Sequence, residues 1–293
     1  MAGSGGTGLV QQARGAGLAL VAPAVLFLVA FYLLPLGLLV EESLRPSAGG
    51  MDPAAPMGLH QYERVISSGR SWRALERTVR ISAVSTLLTF AIAYPMALFL
   101  LRAGPRLRTA IVLSLFVSLA SSLIVRNYGW LVTLADAGPV NTLLLALGLV
   151  DAPLRLVYSE QATIVALVHY ALPFMVLPIY GSLLRIPPSL VEVSQSLGAG
   201  PWRALAGVVL PLSMPGVFGG TTLTFAICMS AFVTPLMLGS PATSMISQVA
   251  AEQFLVQLNF PFGSAMIVAL TIATFAILLA YTLLVRLAVR VHA

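Results

Sequence analysis

Very few side chains in this sequence are placed to do covalent chemistry. The single cysteine, Cys228, sits inside an apolar run, and His60, His169 and His292 lie far apart, so neither a disulfide nor a Cys- or His-based metal centre is expected. All 16 basic residues are arginine. Without lysine there is no Gly-x4-Gly-Lys-Ser/Thr phosphate loop, and no nucleophile is paired with a base. What remains is recognition chemistry, concentrated in residues 185–215, RIPPSLVEVSQSLGAGPWRALAGVVLPLSMP. This stretch carries paired prolines, a carboxylate, three glycines, a tryptophan and an arginine between two apolar runs, and so presents a polar surface to something in water.

Its local chemistry predicts two short helices. Pro187-Pro188 ends the preceding helix. Ser189 stands three residues before Glu192, the spacing of a capping box, which predicts a helix starting there. Leu190, Val193, Ser194 and Leu197 then share one face. Gly198 is placed to end that helix in a left-handed conformation, and Gly200-Pro201 to start a second one with proline at its first position. The second carries Trp202, Arg203 and Leu205 to Val209, before Leu210-Pro211 turns the chain back. The product is a compact knob whose apolar face fits a groove in a partner.

The elements that position this knob follow from composition. Of 293 residues, 58% are hydrophobic and 9% charged, against about a quarter charged in soluble proteins. Mean hydropathy is +0.95. These values describe an all-α polytopic membrane protein. Six transmembrane helices are expected near residues 17–40, 79–101, 109–125, 162–184, 216–238 and 264–287. A re-entrant or interfacial helix is expected at 140–149, and short amphipathic pieces at 59–66 and 72–75. Residues 1–16 read as a disordered N-terminus, and 17–293 as one transmembrane domain. The first run is too long for a signal-peptide core and has no small-residue cleavage motif after it.

Arginine placement orients the chain. One side holds Arg14, Arg102, Arg106, Arg108, Arg185, Arg203, Arg286 and Arg290 with a single acid, Glu192; the other eight arginines share their side with the nine remaining acids. The Arg counts tie, but the short loops near span ends favour the first side as cytoplasmic. Both termini and the knob would therefore be cytoplasmic, in a bacterial cell membrane. The scattered positives argue for topology and against nucleic-acid binding.

Glu192-Val193-Ser194, then Gly198, then Val208-x-Leu210-Pro211 resembles the coupling loop of ABC-importer permeases, Glu-Ala-Ala, three residues, Gly, nine residues, Ile-x-Leu-Pro. Val-Ser replaces Ala-Ala and Val replaces Ile. RNYGW, GPVNTLLLALGLVDAPLRLVYSE, HYALPFMVLPIYGSL and QFLVQLNFPFGSA are similar to the first membrane subunit of the spermidine/putrescine branch, and the resemblance covers residues 18–287. It implies the type I ABC importer permease fold and no ATPase activity in this chain. Its implied partners are a dimer of ATP-binding subunits, a second homologous permease subunit and an extracytoplasmic solute-binding protein, within membrane lipid. Ser189, Glu192, Ser194, Leu197, Gly198, Trp202, Arg203, Leu210 and Pro211 would carry coupling, with Leu197 and Trp202 as apolar anchors.

A polyamine would need carboxylates or aromatic faces along its route. The spans contain no acid, so the candidates are at span ends: Tyr94, Tyr128, Trp130, Asp136, Glu160, Phe232 and Glu252. Each has a plainer role open to it, as an interfacial belt residue for Tyr128 and Trp130 or a turn former for Asp136. Thr221, Thr222, Thr224, Ser230 and Thr234 line either a cavity or interhelical contacts. His169 is expected as a hydrogen-bonded core residue. Arginines 64–80 form either a solvated face or a docking surface for the binding protein. Pro235 stands where a carboxylate would help hold a cation, so the partner permease would supply that charge. The same machine carrying an opine, phosphonate or ferric ion is the alternative; a secondary transporter lacks an intramembrane proton or sodium site here.

Overall fold

The computed structural model describes residues 21–46 and 57–291, with side chains through 287. Residues 1–16, with their expected disorder, lie outside the described residues. Every regular element described is helical. In chain order these are α1 (Val21–Ser43), α2 (His60–Ser67), α3 (Gly69–Arg102), α4 (Pro105–Ala120), α5 (Leu123–Leu134), α6 (Pro139–Ala146), α7 (Glu160–Leu183), α8 (Pro188–Ser196), α9 (Pro201–Met229), α10 (Val233–Leu238), α11 (Ile246–Leu255) and α12 (Phe260–Val291).

Five of these, α1, α3, α7, α9 and α12, are long and apolar enough to cross a membrane, and the bent pair of α4 with α5–α6 makes the sixth span. α7 is the centre of the bundle, packed against α3 on one side and α9 on the other. Half of its most apolar window is buried and none of that of α1 is, so α1 is a peripheral helix resting on α12. The α7–α9 contact is close because Gly216 lies at it. A Cβ there would stand 2.5 Å from both the Pro178 carbonyl oxygen and the Ser182 Cβ. Polar bonds join the same helices: the hydroxyls of Tyr94 and Ser213 are 3.1 Å apart between α3 and α9, and Thr221 pairs with Tyr281 at 2.8 Å between α9 and α12. Inside the bundle such bonds satisfy groups that lipid cannot.

Four sequence expectations change. The span expected at 109–125 breaks at Ser121–Ser122, and the chain turns through 104°. Arg126 makes the break. It is 8% exposed, donates to the Ser118 and Ser121 carbonyls and the Ser121 hydroxyl, and so satisfies one carbonyl in the last turn of α4 and one at the break. Its guanidinium also lies over the Tyr170 ring, 5.1 Å from the centroid. The fifth span runs from Pro201 to Met229, not 216–238, and stops at Ser230–Phe232. Leu210-Pro211 is not a turn. The helix passes through it by widening to a π turn at Leu205–Val209, where the Leu210 amide donates to the Leu205 carbonyl five residues back. Pro211 offers no amide and its ring crowds the carbonyl four residues earlier; the π turn relieves both. α1 repeats this with a π turn at Val29–Leu33 just before Pro35. Finally, the stretch between the fifth and sixth expected spans contains a helix, α11, tied to α3 by the Ile246 amide donating to Thr78 Oγ1 at 2.9 Å.

Candidate functional site

The knob is built by backbone chemistry. Pro187 is extended and Pro188 is the first residue of α8. That helix ends in a full Schellman arrangement. Gly198 takes φ +87°, its amide donates to the Gln195 carbonyl at 2.9 Å, and the Ala199 amide donates to Ser194 at 3.1 Å. Gly200 then caps the N-terminus of α9, with Pro201 at its first position. The Gly198 hinge and Gly200-Pro201 start match the sequence reading. The capping box does not: Ser189 is the second helical residue and makes no capping bond, and the N-cap is Pro187. A residue before proline is biased toward extended backbone, and Pro187, at ψ 129°, takes it, which puts the boundary there. Glu192 is therefore an exposed carboxylate on α8, without a capping bond; only its backbone carbonyl is engaged, by the Ser196 hydroxyl at 3.0 Å.

The apolar face of the knob has no cover. Leu197 is 84% exposed and Trp202 82%; Leu190 and Val193 beside them are exposed too, as is Arg203. Leu210 is half-buried against the apolar cluster that includes Leu183 and Val217, while Pro211 is exposed.

The candidates for a solute route divide. Tyr94 is buried between α3 and α9 on Ser213, within the packing. Tyr128 is exposed on α5, and Asp136 is exposed in the turn between α5 and α6. Trp130 donates its indole N–H to His169 Nδ1 at 3.1 Å, which makes His169 a hydrogen-bonded core residue, as expected. Thr234 meets Asn127 at 3.2 Å, an interhelical bond between α10 and α5. Phe232 and Glu252 come together on one cavity of about 400 Å³, and Phe232 and Ser230 on a second.

Glu252 is not a free carboxylate. Arg70, in the first turn of α3, grips it with two bonds of 2.5 and 3.1 Å, and that guanidinium holds the Glu252 carboxyl below the ordinary carboxylate range. Three other arginines of residues 64–80 are also engaged. Arg80 pairs with Glu160 at 2.6 Å, Arg77 donates to the Ser244 carbonyl at 3.1 Å, and Arg64 lies over Phe262, 4.2 Å from the ring centroid. Sequence reasoning missed Arg70 as the partner of Glu252, since the two are 182 positions apart. It also missed Gln248, one helical turn before Glu252 on the same cavity, which the i, i+4 spacing would have marked once α11 was recognised as a helix.

The family described as binding-protein-dependent transport system inner membrane component matches residues 81–290. The chain belongs to this family. It is a multi-pass inner-membrane permease component of an ABC importer. The spermidine/putrescine transport system permease protein PotB of Haemophilus influenzae is 29% identical over 88% of this chain and 91% of its own. The molybdenum transport system permease protein ModB of Azotobacter vinelandii is 32% identical over 62% of this chain and 78% of its own. Among solved structures, a bacterial ABC transporter that imports the acidic polysaccharide alginate superimposes with a TM-score of 0.77. That comparison covers 95% of this chain and 98% of the other at 18% identity, and gives the permease the type I importer fold.

Proposed function

We propose that this permease carries a polyamine of the spermidine/putrescine type across the inner membrane, driven by ATP hydrolysis in a separate subunit that grips the knob. The observation that carries the drive is the bare apolar face of Leu197 and Trp202 on a helix end fixed by Gly198. A membrane protein has no reason to hold these side chains in water unless a partner covers them. Closure of a dimer of ATP-binding subunits would move the knob as a lever and switch the bundle between inward- and outward-open states. On the arginine distribution, knob and termini face the cytoplasm. A second homologous permease completes the pore, and a solute-binding protein delivers the cargo at the opposite end.

Support for a polyamine is the relative matched along almost the whole chain, whose name gives spermidine and putrescine. An oxyanion is the second reading, favoured by the higher identity to the molybdenum permease, but over a shorter stretch. The test is to copurify the permease with the ATP-binding subunit encoded beside it and to measure uptake of radiolabelled putrescine and of molybdate into proteoliposomes with the cognate binding protein. Uptake of putrescine alone supports the proposal. Molybdate uptake, or consistent absence of an ATP-binding subunit, sinks it.

A further inference from the structure

Away from the knob, the Arg70–Glu252 pair does more than join two helices. It sits on the wall of the 400 Å³ cavity, beside Phe232, Ser240, Ser244 and Gln248. Phe232, Ala251 and Leu255 continue from this cavity into a second of about 570 Å³, whose wall is mainly apolar and includes Phe254 and Phe275. The Arg80–Glu160 pair borders neither cavity. Chemically the first chamber offers one carboxylate, several neutral oxygens and an aromatic face, and the second offers apolar walls with two more rings. That is the complement of a chain with a primary ammonium at its end and methylenes behind it. The Arg70 guanidinium, with 56% of its side chain exposed, already holds the carboxylate, and would repel an incoming cation unless it let go. A pair this exposed adds little to stability, so its partners exchange readily.

We propose that Arg70–Glu252 is an exchangeable latch at the entrance of the solute route. The incoming primary ammonium takes the Glu252 carboxylate from Arg70, and the methylene chain follows over Phe232 and Leu255 into the larger cavity. The exchange swaps one cation for another on the same carboxylate, and the released Arg70 guanidinium, already more than half exposed, carries its charge into solvent. The inference rests on the polyamine reading and deepens it by assigning the first contact.

The latch predicts opposite effects for its two halves. In proteoliposomes holding the complete transporter with its binding protein, at equal amounts of assembled complex, Glu252→Gln raises the half-saturating putrescine concentration about tenfold, the scale of one charged hydrogen bond. Arg70→Gln removes the competitor and lowers that concentration. The charge swap Arg70→Glu with Glu252→Arg keeps an ion pair but does not restore uptake, because the carboxylate has left the cavity wall. If instead both single variants depress uptake alike and the swap restores it, the pair is a structural clamp and the latch is wrong. A wild-type transporter that takes up neither putrescine nor spermidine overturns the polyamine reading and this inference with it. Failure of the variants to diverge on a transporting wild type overturns the latch alone.

Discussion

Gly198 offers the sharpest test of the knob, because the cost of replacing it separates into two parts. Its φ of +87° is in the left-handed region, where a residue with a Cβ pays about 1–2 kcal/mol. An added Cβ meets nothing within 4 Å, so in the permease alone the cost is conformational and nearly independent of side-chain size. That cost lowers the population of the native knob by a factor of about 5–30. α8 has nine residues, too few to hold its shape without its end. Gly198→Ala and Gly198→Leu are therefore expected to be equally harmful to the isolated permease, and Gly198→Asn less so, since asparagine tolerates this conformation. If the knob seats in a cleft of the ATP-binding subunit, the space open here is filled in the assembled transporter, and Leu becomes much worse than Ala. The assay is ATPase activity stimulated by solute-loaded binding protein, beside copurification of the ATP-binding subunit. Equal coupling by the Ala and Leu variants would mean that no partner surface approaches Gly198, and full coupling by Ala would mean that the left-handed end is dispensable.

Three further outcomes are expected. Trp202→Ala should weaken capture of the ATP-binding subunit by about 2–4 kcal/mol, roughly 30- to 1,000-fold in Kd, measured by binding in detergent; an unchanged Kd would remove Trp202 from the interface. Gly216→Val should force α7 and α9 apart and cost about 1–3 kcal/mol in thermal unfolding, whereas Gly219→Ala, with nothing within 4 Å of the added Cβ, should be nearly neutral. The Glu252 carboxyl titrates below its ordinary value near 4.5, so its contribution is full above that pH and fades as pH falls through the lower, folded value. The stability gap between wild type and Glu252→Gln, at most about 1 kcal/mol for so exposed a pair, should close on acidification; a gap that widens would reverse the sign.

The parts of this protein legible in sequence are those set by neighbouring residues. Gly198 and Gly200-Pro201 dictate their own backbone, so the end of α8 and the start of α9 follow from the sequence alone. Where two local rules competed, the stiffer one prevailed. Ser189 and Glu192 have capping-box spacing, but the extended bias of a residue before proline put the boundary at Pro187. The break at Ser121–Ser122 was hidden because no glycine or proline marks it; hydropathy runs through, and the bend exists because Arg126 reaches back to the end of α4. Likewise, Glu252 was recognisable as a rare acid near a span end, but its partner comes from α3, and no periodicity links positions so far apart.

The correction at Leu210-Pro211 changes the mechanics. With a turn there, the knob would have hung from the fifth span by a flexible joint. As a continuous helix of 29 residues, α9 is a rod about 43 Å long at 1.5 Å per residue. One end carries Trp202, and the other stops at Ser230–Phe232, on the wall of the larger cavity. On the proposed function, a push on the knob is delivered directly beside Phe232, and the rod widens to a π turn at Leu205–Val209, next to the knob. That places compliance near the motor, while the length from Leu210 to Met229 stays α-helical with Pro215 inside it and is gripped beside that proline, at Gly216, by α7. The Gly198 series loads one end of this rod and the Arg70–Glu252 series reads the other. Coupling between the two sites then requires no relay of side chains, only one continuous helix.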